Sequence, residues 1–269
     1  MRVIAHISDL HFGRVGEAAL QALHDAISKF QPDLLVVSGD LTQRARAREF
    51  QQARAFLDSL VPPRIVVPGN HDVPLYNIVA RWLTPLDKYR RHVESNLAPT
   101  FADPEIAVMG LSTARSLTVK DGRLNREQMD QACAFFGGYR AAQMRILVTH
   151  HPFDAAQKKH EGDIVQRSQQ AVSSFTACGV DMILSGHMHG AHVSDSAQRY
   201  GGGSKILLVQ AGTATSTRLR GEQNTWNLIR TEGDAVSVDV MASSGGAPFA
   251  PLRASTYRRG PDGWEIASS

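Results

Sequence analysis

Apolar residues fall along this chain in two alternating rhythms. Short unbroken runs, RVIAHIS (2–8), LLVVS (34–38), RIVVP (64–68), RILVT (145–149) and VDMILS (180–185), have the length and β-branched content of strands buried on both faces. Between them the spacing becomes helical. Leu20, Leu23, Ile27 and Phe30 lie three, four and three residues apart, and so do Phe50, Ala53, Leu57 and Leu60. Gln31-Pro32-Asp33 stops the first of these helices and Pro62-Pro63 the second, because a residue before proline is pushed out of the helical region. Met129, Cys133 and Phe136 mark a helix around 126–136, and another near 164–177 precedes VDMILS. Strand, crossover helix and strand in repetition predict an α/β fold with a parallel sheet and right-handed connections.

Residues 74–125 break the rhythm. They are helical and amphipathic in places, with EIAVMGLST (105–113) reading as a strand and KDGRLN (120–125) holding an Asp-Gly turn. KILLVQ (205–210), WNLIR (226–230) and AVSVDVM (235–241) read as strands, the last two joined in a hairpin through Thr231-Glu232-Gly233-Asp234. From 243 the chain is rich in Gly, Ser and Pro and is expected to wrap the surface or fray. The expected organisation is one domain over 1–242, with a helical, cap-like insert at about 74–125, and a C-terminal tail, 243–269, packing on it.

Composition narrows the classes. In 269 residues, 42% hydrophobic and 20% charged supply a sizeable core and exclude wholesale disorder. A net charge of +3 without a long basic run argues against nucleic acid and suits an anionic substrate. Asp9 interrupts the first apolar stretch too early for a signal peptide, and no 18-residue apolar run exists. No membrane span is therefore expected, and a cytoplasmic enzyme fits. Cys133 and Cys178 stand far apart in no metal or redox spacing and read as buried thiols.

The polar residues gather where strands end. Asp9 and His11 follow the first strand, Asp40 the second, and Asn70 and His71 the third; His150 follows a later one, and His187 and His189 the strand before the C-terminal group. Ligands of open α/β sheets bind beyond the strands' carboxyl ends, so residues 180 positions apart can converge there. Carboxylate, imidazole and amide oxygen suit Mn, Fe, Zn or Ni. Gly39, Gly69 and Gly186 allow sharp turns off the strands. Singly, each residue has a plainer reading. Asp9 and Asp40 could cap the helices that follow, Asn70 could be a left-handed turn residue, and either histidine of 187 and 189 could be a loop residue.

Five blocks, DLHFG (9–13), GDLT (39–42), GNHD (69–72), THHP (149–152) and GHMH (186–189), occur in that order over about two-thirds of the chain. Together they resemble the calcineurin-like metallophosphoesterase superfamily, and most closely its bacterial cyclic-nucleotide and glycerophosphodiester phosphodiesterase branch. The resemblance implies a layered α/β sandwich of two mixed β-sheets flanked by helices, with a metal site at the strand carboxyl ends. It implies two divalent metal ions, one held by Asp9, His11 and His189 and the other by Asn70, His150 and His187, with Asp40 bridging. His71 would be the catalytic residue that binds the scissile phosphate or protonates the leaving oxygen, and Asp72 would orient its loop. The residues alone leave His150 and His151 open as ligands, and the family pattern favours His150.

The implied function is hydrolysis of a small phosphodiester, a cyclic nucleotide or glycerophosphodiester, by in-line attack of a metal-bridging hydroxide. The alternatives are a pyrophosphate-bond hydrolase on a nucleotide–lipid precursor, with residues 75–83 as an apolar groove, or a phosphomonoesterase. A scaffold that has lost its metals is disfavoured by the intact ligand set. A homodimer through the 74–125 insert or the tail is conceivable. His6 reads as a core histidine, and Arg44 and Arg48 as one face of a helix, with Arg44 as a possible anion contact; Ser112–Arg115 could play a similar part. Gly201-Gly202-Gly203 reads as a flexible turn, with no helix after it to bind phosphate.

Overall fold

The computed structural model describes residues 1–60, 62–75, 78–115, 121–140, 143–201, 203–215, 223–261 and 263–268. Two β-sheets face each other across an apolar core. The first runs β13-β12-β11-β10-β1-β2-β3, with β1 Arg2–Ile7, β2 Leu34–Val37, β3 Arg64–Val66, β10 Asn224–Glu232, β11 Ala235–Ser243, β12 Ala250–Gly260 and β13 Gly263–Ser268. The second runs β4-β5-β6-β7-β9-β8, with β4 Thr100–Ala102, β5 Ile106–Gly110, β6 Met144–Val148, β7 Met182–Ser185, β8 His192–Asp195 and β9 Leu207–Gln210. Both sheets are mixed. β1, β2 and β3 are parallel, as are β5, β6, β7 and β9, while the C-terminal strands of the first sheet pair antiparallel.

Strand alternation sorts the side chains into layers. Ile4, Leu34, Val36, Ile229 and Val238 meet Val108, Ile146, Val148, Leu184 and Val209 between the sheets. Ala5, Ile7, Leu35 and Val37 point outward beneath α1 (Glu17–Phe30) and α2 (Ala47–Ser59), where Leu23, Ile27, Phe50 and Leu57 are buried. Each such side chain contributes about 1.5–3 kcal/mol through its removal from water. α5 (Arg126–Gly137) and α6 (Ser168–Ala177) cover the second sheet with Met129, Phe136, Val172 and Phe175. Asn125 caps α5 reciprocally: its Oδ1 accepts from the Gln128 amide at 2.8 Å, and Gln128 Oε1 accepts from the Asn125 amide at 3.1 Å.

Several expectations change. The segment after 243 does not fray: β12 and β13 extend the first sheet, with Tyr257 and Trp264 in the inter-sheet core and Trp264 Nε1 donating to the Asp181 carbonyl at 3.2 Å. Its Gly, Ser and Pro content hid a paired hairpin. The 74–125 stretch is partly integral, since α4 (Asp87–His92) packs on α2 and β5 is an inner strand of the second sheet. α3 (Ile78–Leu83) leaves Val79, Trp82 and Leu83 exposed. Tyr76, Asn77, Lys120 and Gly202 lie outside the described residues. Cys133 and Cys178 are not isolated thiols. They pair as a disulfide with Cα atoms 5.2 Å apart, because α5 and α6 pack side by side although 45 residues separate the cysteines. Among the described residues no helix is long and apolar enough to cross a membrane.

Candidate metal centre

The carboxyl ends of β1, β2 and β3 meet those of β6 and β7 at one edge of the sandwich. An isolated parallel bridge, Ser8 to Thr213, links the sheets there. Asp9, His11, Asp40 and Asn70 come from the first sheet, and His150, His187 and His189 from the second. All seven sit on loops that leave the strands at once. Asp9, His11, Asp40, His187 and His189 take positive φ, between 50° and 75°, where few residues other than glycine sit. Such strain, of order 1–3 kcal/mol per residue, persists where the surroundings fix it. Asp9 and Asp40 cap no helix, because α1 and α2 start several residues further on, with Gly16 and Arg46 at their N-cap positions. Asn70 does not adopt the left-handed turn; it opens a short 3₁₀ turn through Asp72. Gly39 has φ +97°, and a side chain there would meet the His150 ring at 2.6 Å. A Cβ on Gly186 would strike Ser8 Oγ at 1.8 Å and Asp9 Oδ2 at 2.7 Å.

The donors form two groups. Asp9 Oδ1 lies 3.6 Å from His11 Nε2 and 3.4 Å from His189 Nε2, and the two nitrogens are 3.4 Å apart. Asn70 Oδ1 lies 3.0 Å from both His150 Nε2 and His187 Nδ1. Asp40 stands between the groups, with Oδ2 3.9 Å from His11 Nε2 and Oδ1 3.4 Å from His150 Nε2. His150 Nδ1 donates to the Ser38 carbonyl at 2.7 Å, which leaves Nε2 as a lone pair facing Asn70 Oδ1. In the neutral ring two electron-pair donors then face each other at 3.0 Å, a repulsion that a metal cation between them or a second proton on the ring relieves. Asp9 Oδ1, buried and without a hydrogen bond, makes the same demand on the other side. The donor set therefore fits divalent cations.

Electrostatics act in the same direction. Burial pushes the Asp9 carboxyl up, but the imidazoles of His189, His150 and His11 outweigh it and hold Asp9 well below the ordinary range. Burial likewise raises Asp40, and His150, His71 and His11 more than offset it. His187 is pushed down to about 4, by burial first and by neighbouring His150 second, so it is neutral near pH 7 and able to ligate. His11 is lowered by burial against the pull of Asp40 and Asp9.

His71 lies beside the first group, its ring 5.0 Å from that of His11, and its backbone amide donates to Asp40 Oδ1 at 2.8 Å. Its Nδ1 donates to the Gln43 carbonyl at 2.9 Å, which leaves Nε2 unprotonated when the ring is neutral. Asp72 is buried and ties the GDLT loop to the GNHD loop. It accepts from the amides of Gly69, Leu41 and Thr42 and from Thr42 Oγ1, at 2.9–3.2 Å. Burial, followed by the charge of Asp40, pushes Asp72 up to about 6.

His150, not His151, faces Asn70 and Asp40. His151 is also buried; Thr113 Oγ1 binds its Nδ1 at 2.8 Å, and its ring lies 4.6 Å from that of His187. Arg44 precedes α2, so it shares no helix face with Arg48. Arg115 turns to the start of α5, donating to the Arg123 carbonyl and Gln128 Oε1, each at 3.3 Å. His6 is the expected core histidine, 2.9 Å from Ser38 Oγ. Sequence reasoning missed Gln43, which no spacing marks. It also missed Asp154, which accepts from Ser194 Oγ at 2.8 Å and lies 3.5 Å from His192 Nε2, joining the loops that carry His150 and His187.

An α/β sandwich that gathers these donors at its strand ends belongs in class to the metal-binding phosphoester hydrolases. The model of the calcineurin-like phosphoesterase family matches residues 2–191, and the chain belongs to that family. It is 27% identical over 216 residues to a "probable cyclic nucleotide phosphodiesterase" of Synechococcus sp., covering 71% of this chain and 74% of that protein. It is 39% identical over 83 residues to a glycerophosphodiester phosphodiesterase of Enterobacter lignolyticus, covering 26% of this chain and 29% of that protein. Among solved structures, a dimetal phosphatase from Danio rerio superposes with a TM-score of 0.68 at 13% identity, over 96% of this chain and 99% of that one. Family and donor clusters together imply divalent metal ions.

Proposed function

We propose that the protein is a dinuclear metal-dependent phosphodiesterase acting on a small phosphodiester such as a cyclic nucleotide or glycerophosphodiester. Asp9, His11 and His189 hold one ion, Asn70, His150 and His187 the other, and Asp40 bridges them. The observation that carries this reading is the position of Asp40, one oxygen toward each group. Mn, Fe or Zn ions bound there would supply an activated water at neutral pH and neutralise phosphate charge. His71 is the catalytic residue of the chain itself: with Nδ1–H on the Gln43 carbonyl, the doubly protonated ring would use Nε2–H to hold the scissile phosphate or protonate the leaving oxygen. Gln43 fixes the ring for that task, and the Asp72 clamp keeps the His71 loop against the Asp40 loop. The names of the cyanobacterial and enterobacterial relatives support a diester over a monoester.

A second reading, hydrolysis of a pyrophosphate bond in a nucleotide–lipid precursor, is favoured by one feature. Val79, Trp82 and Leu83 leave 65–76% of their surface exposed on α3, an apolar face that could hold an acyl chain. Metal-dependent hydrolysis of bis(p-nitrophenyl) phosphate, compared with p-nitrophenyl phosphate, tests the phosphodiesterase reading.

A further inference from the structure

His189 is the exposed member of the donor set, with 47% of its side chain accessible while Asp9 has none. The metal centre therefore opens on the His189 side. A cleft of about 690 Å³ lies there, walled by His189, Gln223, Thr225, Val240, Leu252 and Arg253. Strand register explains why residues from the far end of the chain reach it. His6 pairs with Asn227, Asn224 with Ser243, and Ala242 with Ala250. The start of β10, the end of β11 and the start of β12 thus line up beyond the carboxyl end of β1. A register shift occurs at this edge: Val240 pairs with Arg253 and Met241 with Pro251, which leaves Leu252 unpaired. Bulges of this kind re-aim side chains and recur beside active sites.

The wall has a definite chemistry. Among the described residues it contains one guanidinium and no carboxylate. Arg253 is exposed, and its side chain pairs with no described residue. Leu252, 60% exposed, and buried Val240 supply an apolar surface beside it. The volume is that of a pocket for a nucleoside-sized group.

We propose that this cleft binds the organic substituent of the substrate phosphodiester, and that Arg253 selects a substituent bearing an oxyanion of its own. The inference rests on the phosphodiesterase reading and narrows it: among small phosphodiesters the preferred ones carry a second negative charge and an apolar body, which a simple cyclic nucleotide does not. Arg253 is a specificity-determining residue that touches the substrate away from the reacting phosphorus.

The test uses p-nitrophenyl aryl phosphates that differ only in the para group of the second ring: carboxylate, phosphonate, nitro or trimethylammonium. In the Mn²⁺-loaded protein, Arg253→Ala lowers kcat/KM for the carboxylate and phosphonate esters about 10–100-fold, the strength of a charge-assisted contact, chiefly through KM. The nitro ester changes less than about 3-fold, the trimethylammonium ester improves, and Arg253→Lys restores part of the loss. The two anionic esters separate a carboxylate preference from a phosphate preference. A parallel calorimetric titration compares 4-carboxybenzylphosphonate with benzylphosphonate, and Arg253→Ala weakens only the former. Equal losses across the series, or none, overturn the role of Arg253 while leaving the phosphodiesterase reading intact. If the wild type cleaves no diester, that reading falls, and the titration still decides whether the cleft selects an anion.

Discussion

Asn70 and His150 face each other acceptor to acceptor, Oδ1 against Nε2 at 3.0 Å, because the Ser38 carbonyl holds the His150 proton on Nδ1. A bound cation turns this repulsion into shared ligation, so metal should stabilise the fold. Stripping the protein with chelator is expected to lower Tm, and Mn²⁺ at a hundredfold excess over its Kd to restore about 2.7 kcal/mol. In Asn70→Ala the repulsion is gone and so is a ligand. Its Tm should respond less to Mn²⁺ in a thermal melt, and its turnover should be lost.

His71 contributes to chemistry without belonging to the donor set. His71→Ala should lower kcat about 10²–10⁴-fold, the range of general acid–base and phosphate-stabilising groups. Metal content by elemental analysis should equal that of the wild type. Loss of metal in this variant would make His71 a ligand.

Asp154 reports on a joint between the two histidine loops. His192 first, then Ser194 and the Ala155 amide, hold its carboxyl well below the ordinary range against the effect of burial. A folded-state pKa below the unfolded one gives stability that is complete above the unfolded carboxylate value, near pH 4, and is lost as pH falls through the folded value. The wild type should therefore exceed Asp154→Asn by about 1 kcal/mol at pH 7, and the gap should close on acidification below about pH 4. Urea unfolding at both pH values measures it.

The Cys133–Cys178 bridge closes a 45-residue loop, for which chain entropy predicts about 4 kcal/mol at most. Purified under air, the protein should show a linked peptide pair by mass spectrometry. Dithiothreitol should lower its Tm, and Cys133→Ser/Cys178→Ser should be insensitive to dithiothreitol.

Much of this was legible in the chain. The run LLVVS and the spacing of Phe50, Ala53 and Leu57 need only local periodicity, and β2 and α2 lie where that periodicity puts them. That the candidate donors stand at strand ends was legible from local periodicity, but Asp9 and His187 leave different sheets, so bringing them together rested on the family resemblance. Features set by pairing between distant segments stayed hidden. β12 depends on its register with β11, not on its own composition. The disulfide depends on how α5 meets α6, and Gln43 reaches His71 only after two loops are clamped by Asp72. The positive φ of Asp9 and His189 likewise belongs to the folded loop, since neither residue type demands it.

The central claim is that Asp40 serves two ions in a phosphodiesterase centre. The most direct measurement is hydrolysis of bis(p-nitrophenyl) phosphate and p-nitrophenyl phosphate by chelator-stripped protein reloaded with Mn²⁺, wild type beside Asp40→Ala, with metal counted in each. The account predicts two ions per wild-type chain, diester turnover that needs them, and a loss of at least about 10²-fold in Asp40→Ala together with lost metal. Full activity in Asp40→Ala, or a wild-type chain that binds no metal, would contradict it.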